Sequence, residues 1–466
     1  MKKQPISSTK KSSARSFRNA EQYFRRVRFM QNMFYQENER KIPIAAQTDI
    51  LIAGGGPAGI GAAIGAAKAG AKKIILIESL NALGGMAGPG MMSHWVGVTG
   101  SPEVDIIQKK CINLLKMQDI GGWFTPIHHE SLKYVLQEYL LSLGVQIQYN
   151  VLAAAAIKEG NTLSGVITES KSGREAIFAK VTIDATGDGD IAAAAGADFE
   201  LGRPEDHACQ PATLMFRIGG VDYDRAIFPG SFETKIDVPA GEIQDLARKH
   251  LTQPAGHTLL YKTLLPGEVC VNMTNVINVN GTDTRSVTEA LIQCRRQMLQ
   301  IVDFLRKFAP GYENCYPVTS GDLIGIRETR HFKTQYEMTA EDITDGRLFP
   351  DWITTGNAFN FDIHNVKGSG LDENGAQKHF KSKGRYSVPL RACIPIGING
   401  LLLAGRCIGG SHKAHSNYRA MPICLGIGQG AGVAAAFAAE NNGDTNNLDI
   451  TKIHQELQKQ GVPDHN

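Results

Sequence analysis

The chain has 466 residues, 42% hydrophobic and 20% charged, with a formal net charge of +3. That length calls for a large core and at least two lobes, and the composition excludes a disordered chain, a coiled coil and a disulfide-stapled mini-domain. The charge is uneven: residues 1–41 hold eleven Lys/Arg against three Glu, while the remainder holds 38 basic and 43 acidic residues. The body is mildly acidic and shows no basic stripe, so nucleic acid is not an expected partner. The eight cysteines, Cys111, Cys209, Cys270, Cys294, Cys315, Cys393, Cys407 and Cys424, form no C-x-x-C pair. Zinc and iron–sulfur sites are therefore not expected, no metal is assigned, and dispersed thiols fit a reducing, cytoplasmic location. No breaker-free apolar run of about 18 residues occurs, so no membrane span is expected. Residues 1–30 lack the apolar stretch of a secretory signal; an Arg/Ser-rich transit peptide is the alternative there.

In chain order, residues 1–16 are rich in Ser and Lys and read as a flexible tail. Over 17–40, Tyr23, Val27, Met30 and Phe34 share one helical stripe, with Arg18, Arg25 and Arg28 off it. The spacing predicts an amphipathic helix docked on the body or on a second copy, which leaves a homo-oligomer through this helix open. Contact with an anionic membrane or RNA is the other reading. Asp49–Ala53 reads as a strand, followed by a Gly-rich turn, an Ala-rich helix to Ala69, a stop at Gly70 and a second strand at Lys73–Glu78. The β-α-β order makes the two strands parallel neighbours. Glu130–Ser142 has helical spacing, and Gly144–Asn150 alternates like a strand. Val151–Ile157, Gly165–Glu169 and Ile177–Phe178 predict a small meander turning at Lys171–Gly173, and Val181–Ala185 a further buried strand. Strand-like runs at Thr213–Ile218 and Val269–Val279 then alternate with a helix over Ser286–Lys307, opened by Ser286 with Glu289 three residues on. Residues 350–385 are polar and read as loop; apolar periodicity returns at Ile394–Gly405 and in a helix after Met421.

Four blocks carry chemistry. Gly54-Gly55-Gly56-Pro57-Ala58-Gly59 fits G-x-G-x-x-G between a strand and a helix, and Glu78 ends the second strand 19 residues beyond Gly59. Gly54 permits the tight turn, Gly56 lets a pyrophosphate approach the backbone, Gly59 lets the helix pack on the strand, and Glu78 accepts from ribose hydroxyls. Leu83-Gly84-Gly85-Met86-Ala87-Gly88 follows the acid directly. Asp184-Ala185-Thr186-Gly187-Asp188-Gly189-Asp190 ends a buried strand. Gly400-Leu401-Leu402-Leu403-Ala404-Gly405-Arg406 is a strand ending in glycine, followed by a helix with Gly426, Gly428, Gly430 and Gly432. An NAD-only Rossmann dehydrogenase leaves the later blocks unexplained.

In this order and spacing the blocks resemble the FAD-dependent oxidoreductases of the glutathione-reductase-like superfamily, bacterial-type relatives of fumarate reductase and heterodisulfide reductase flavin domains. The resemblance covers about residues 46–445. It implies an α/β fold: a Rossmann-like three-layer FAD-binding domain, parallel sheet plus β-meander, with an inserted α+β substrate domain. The implied divisions are a basic arm with an amphipathic helix at 1–45, FAD-binding parts at 46–215 and 389–445, a substrate or cap domain at 216–388, and a C-terminal tail at 446–466. By the same resemblance Gly54, Gly56, Pro57, Ala58, Gly59 and Glu78 bind the ADP half. Gly84, Gly85, Met86, Val151, Gly187, Asp188, Gly405, Arg406 and Gly428 complete the cofactor set. Much of the superfamily has Gly-Asp where this chain has Gly405-Arg406, which argues against the aromatic-ring hydroxylases and lets Arg406 neutralise a phosphate. No His lies in Gly84–Ala87, so the FAD is expected to be non-covalent.

The segment 411–419 precedes Pro422 and the Gly-spaced helix, whose positive end is expected to face the flavin. His412, His415, Tyr418 and Arg419 are the catalytic candidates: His or Tyr as acid or base, Arg as anion holder. The alternative for each is a capping or loop-holding role. Gly325–His331, with two Arg around Glu328, is either a structural ion network or an anion site. His94 and Trp95 follow the Gly-rich loop, and His128-His129 reads as a helix cap. The expected activity is hydride transfer between flavin N5 and a small organic substrate, with an electron partner of unknown identity. An FAD-containing tRNA- or RNA-modification protein and an electron-transfer flavoprotein subunit are the alternatives.

Overall fold

A run of Ile50, Leu51, Ile52 and Ala53, wholly buried, sets the centre of the molecule. The computed structural model describes residues 35–115 and 125–464. The chain divides into residues 1–42 and 43–466. Of the first unit only 35–42 are described, and they form neither helix nor strand. The predicted 17–40 helix otherwise lies outside the described residues.

The fold is mixed α/β. A seven-stranded sheet runs Gln146–Tyr149, Ile74–Glu78, Ile44–Ala53, Gly173–Asp184, Thr162–Ser170, Leu152–Glu159, with Leu401–Leu403 also paired to Gly173–Asp184. The first four strands and Leu401–Leu403 pair in parallel; the two outer meander strands are antiparallel. Parallel strands buried on both faces read as unbroken apolar runs, as Ile74–Glu78 does. The meander's last segment and the separate buried strand expected at Val181–Ala185 are one strand, Gly173–Asp184. It is shared: its first half pairs with Thr162–Ser170, and its second half with Leu401–Leu403.

The helix Pro57–Lys68 packs on the helix Met421–Glu440 through glycines from both sides. A Cβ at Gly61 would meet Leu425 O at 2.1 Å, one at Gly65 Gln429 O at 2.1 Å, one at Gly428 Ala58 O at 1.9 Å, and one at Gly432 Ala62 O at 2.1 Å. Gly428, expected in the cofactor set, is placed by the structure in this helix contact. Met421–Glu440 is long and apolar enough to cross a bilayer, yet 89% of its apolar window is buried in the fold.

A second, antiparallel sheet runs Leu260–Lys262, Val269–Val271, Phe216–Gly219, Tyr316–Ser320. With helices Ile243–His250 and Thr284–Phe308 it builds its own apolar cluster around Phe216, Val271 and Leu305. Asp283 caps the long helix by accepting from Arg285 N, while Ser286 instead accepts from Asn280 N, so the expected serine cap is corrected. Within the expected 350–385 loop, Trp352–Asn357 is a strand paired with Tyr386–Pro389, and Trp352, Phe361 and Val388 join the core of the first sheet. Residues 446–464, the described part of the expected C-terminal tail, are not loose. Helix Ile450–Lys459 buries Ile453 and Leu457; Gln460 Oε1 accepts from Gln429 Nε2 at 3.0 Å, and Gln460 Nε2 donates to Gly65 O at 3.2 Å.

Candidate functional site

The first Gly-rich turn is built by close backbone approach. Gly54 has φ +104°, and a Cβ there would lie 2.3 Å from Ala185 O; one at Gly59 would lie 1.8 Å from Gly54 O. Gly56 differs: its φ is −73°, and a Cβ would meet nothing nearer than Gly85 Cα at 4.0 Å. Protein packing does not require a glycine there, so the open space beside it is the cradle a pyrophosphate needs. Gly56 is the N-cap of Pro57–Lys68, with no side-chain cap and no acid in the first turn. The helix thus presents free N–H groups at that space.

The other predicted cofactor residues gather around this turn. Glu78 is buried; its Oε2 accepts from Gly55 N at 2.7 Å and its Oε1 from Leu80 N at 2.8 Å. A carboxylate has about four acceptor positions, so capacity remains for a ribose hydroxyl. Val151 N donates to Glu78 O at 3.0 Å, and Gly84 N to Gly55 O at 2.8 Å. Gly85 lies against Gly56, Ala58 against Gly405, and the Met86 thioether against Gly325.

Gly187 and Gly405 have positive φ, with the Arg406 guanidinium beside Gly187. Arg406 donates to Asp188 Oδ1 at 2.7 Å, and Thr329 Oγ1 donates to the same oxygen at 2.6 Å. In this structure its charge is met by Asp188. Arg330 joins the same turn through Asp188 O and Asp190 Oδ1, both at 2.8 Å.

The catalytic candidates divide. The Glu328 side chain is fully buried; its Oε1 accepts from His331 Nε2 at 2.8 Å and from His412 Nδ1 at 2.6 Å, and its Oε2 from Gln210 N at 2.9 Å. Burial pushes this carboxyl up, but the hydrogen bonds from His331 and His412 outweigh it and hold the group well below the carboxylate range. His331 Nδ1 faces Gly410 O at 2.9 Å, so both its ring nitrogens face acceptors. His412 opens the short helix His412–Tyr418, capped by Ser411. Its Nε2 has no hydrogen bond among the described residues.

His415 is buried beside His331 at a ring distance of 5.1 Å, and burial keeps it neutral. Tyr418, the third catalytic candidate, is fully buried and donates to Ile408 O at 3.2 Å. Arg419 donates to Asp362 O at 2.7 Å, Asp362 Oδ2 at 3.2 Å and Gln210 Oε1 at 3.3 Å, while its Nε is buried without a partner. The Gln210 amide nitrogen is equally unpartnered. Asp362 is shared with His364, 3.3 Å away. Arg327 donates to Pro211 O at 2.5 Å and Thr213 Oγ1 at 2.9 Å; burial and then Arg419 bring it down to about 10.

Sequence reasoning missed Gln210, Asp362 and His364, which sit in loops with no periodicity to mark them. His128 does cap its helix, accepting from Ser131 N at 3.2 Å, and His94-Trp95 pairs with Thr125-Pro126. No cluster of metal-ligating side chains is present among the described residues.

A family model described as FAD dependent oxidoreductase matches residues 49–457. The chain is similar to a thiamine thiazole synthase from Sulfolobus acidocaldarius, 31% identical over 168 residues, which are 34% of this chain and 62% of that relative. Its fold is similar to the flavin-dependent brominase Bmp2 at a TM-score of 0.46 and 11% identity, covering 89% of this chain and 83% of that one. A geranylgeranyl bacteriochlorophyll reductase-like protein from Thermoplasma acidophilum gives 0.42 and 14%, covering 90% and 84%.

Proposed function

The chain belongs to the FAD dependent oxidoreductase family, and from that membership we propose that this FAD-dependent enzyme exchanges a hydride with a small organic substrate while His412 handles the proton. The residues fit the cofactor. The open cradle at Gly56 and the uncapped helix at Pro57 suit the pyrophosphate, Glu78 the ribose, and Gly84, Gly85, Gly187 and Gly405 the close approaches around them. When bound, FAD supplies a hydride acceptor or donor at N5. With no histidine in Gly84–Ala87, the FAD is held non-covalently.

The observation that carries the reading is the single Glu328 oxygen shared by His331 and His412. The His412 Nδ1–H donates to a fixed carboxylate, which leaves Nε2 as the basic atom and stabilises the imidazolium once it takes a proton. Neutral, buried His415 does not compete for that role. The unpartnered Arg419 Nε and Gln210 Nε2 offer donors for a substrate oxygen. In this reading the parallel sheet with its meander is a Rossmann-like FAD domain. Residues 216–320, with their separate sheet and apolar cluster, are the inserted substrate domain.

The test is anaerobic bleaching of the bound flavin by a panel of small organic donors, repeated with His412→Gln. The variant should keep its FAD and lose about 10²- to 10⁴-fold in reduction rate. A variant that bleaches at the wild-type rate overturns the assignment.

A further inference from the structure

The second sheet carries one polar row through an apolar wall. Cross-strand register sets Thr319, Arg217, Cys270 and Tyr261 side by side, so they share one face. Their neighbours Phe216, Ile218, Leu260, Val269 and Val271 turn to the other face, into the apolar cluster. The polar face meets the loop that follows the nucleotide-binding acid. Met215 and Cys270 pack with Met91, Met86 and Met92, and the Tyr261 ring stands edge-on to His94 at 4.4 Å.

Arg217 sits in this layer with 1% of its side chain exposed, and its Nε and NH1 have no hydrogen-bond partner. The nearest carboxylate is Glu268, 4.0 Å from Nε, which is beyond hydrogen-bond reach. A guanidinium does not deprotonate in a protein, so burial without a bonded anion is costly. Other arginines of the site have close acids: Arg406 has Asp188, Arg330 has Asp190 and Arg419 has Asp362. The imidazoles in the field of Arg217 supply no counter-charge. His94 is brought down to about 3 and His129 to about 4, by burial first and Arg217 second.

We propose that Arg217 is the binding residue for a carboxylate group of the substrate, so that the small organic substrate is a carboxylic acid. This rests on the hydride-transfer reading above and adds the substrate class to it.

The experiment uses FAD-loaded protein titrated with acetate, succinate and, as a neutral control, acetamide, followed by thermal midpoint and by the flavin spectrum. The carboxylates should stabilise the protein saturably and acetamide should not. Arg217→Gln should weaken carboxylate binding at least about tenfold, and Arg217→Lys should restore part of it. Glu268→Gln should tighten binding by removing the negative charge nearest the guanidinium. Wild-type protein indifferent to carboxylates, or Arg217→Gln binding them as tightly as wild type, overturns the proposal. If Arg217→Gln fails to fold, Glu268→Gln decides. A purely structural Arg217–Glu268 pair requires that variant to lose stability and gain no affinity, and that result also overturns it. Holoprotein that is bleached by a donor yet blind to carboxylates refutes this inference alone; a chain whose flavin no donor reduces refutes the reading beneath it.

Discussion

The proposed proton chemistry turns on Glu328, because one of its oxygens holds two imidazoles. Glu328→Gln replaces the charge with an amide that cannot stabilise an imidazolium at His412. It should retain FAD, slow reduction about 10²-fold or more, and shift the pH–rate profile. An unchanged profile would show that the carboxylate is only structural. The Gly325–His331 block was visible in the sequence as two arginines around an acid, but its wiring was not. Glu328 and His412 lie 84 positions apart, and only the fold joins them. Arg330 pairs with Asp190, Arg327 is half-buried on carbonyl and hydroxyl oxygens, and Glu328 accepts from three donors. Arg217 left a trace that went unread: a lone charge inside the apolar run 215–218.

The helix pair joins the fold to the proposed cofactor cradle. Gly428 and Gly56 make opposite predictions. A Cβ at Gly428 would lie 1.9 Å from Ala58 O, so Gly428→Ala must push the two helices apart. We expect a loss of about 3 kcal/mol or more in chemical unfolding, with FAD lost as well. Gly56→Ala meets open space at an ordinary φ, so it should fold as stably as the wild type without FAD yet bind FAD poorly. Equal FAD affinity in that variant would remove the pyrophosphate from the cradle. The β-α-β unit was legible because turn, helix and acid stand in one short stretch. The single strand Gly173–Asp184 was not, because its polar middle looked like a break and its two halves have different partners. Trp352–Asn357 was hidden for a similar reason: it is a short pair with its partner 386–389, flanked by polar turns.

At the scale of the whole molecule, buried histidines set the response to pH. Burial is the largest cause in each case: it brings His94 and His257 down to about 3 and His129 and His364 to about 4, from 6.5. Each takes up a proton on unfolding between its folded value and 6.5, so falling pH favours the unfolded chain. Each contributes about 1.4 kcal/mol per pH unit in that window. Asp184 runs the other way. Burial pushes it up to about 6 from 3.8, so it offsets one histidine between those values. Glu328 adds stability that is lost only in stronger acid, because its carboxyl is held low. The thermal midpoint should therefore fall steeply from pH 6.5 to pH 4; a flat or rising midpoint would mean that these histidines are protonated in the fold. The family and its cofactor were readable from four glycine blocks. The contacts that join His94, Arg217 and Tyr261, and those that join Gln210, Glu328, Asp362 and His412, were not, because these residues lie far apart in the chain and share no local pattern.

The most direct measurement is the visible spectrum of the purified protein before and after acid precipitation. The expected result is a flavin spectrum whose chromophore passes wholly to the supernatant and proves to be FAD. Flavin kept in the pellet would contradict non-covalent binding, and a colourless protein that takes up no added FAD would contradict the account at its base.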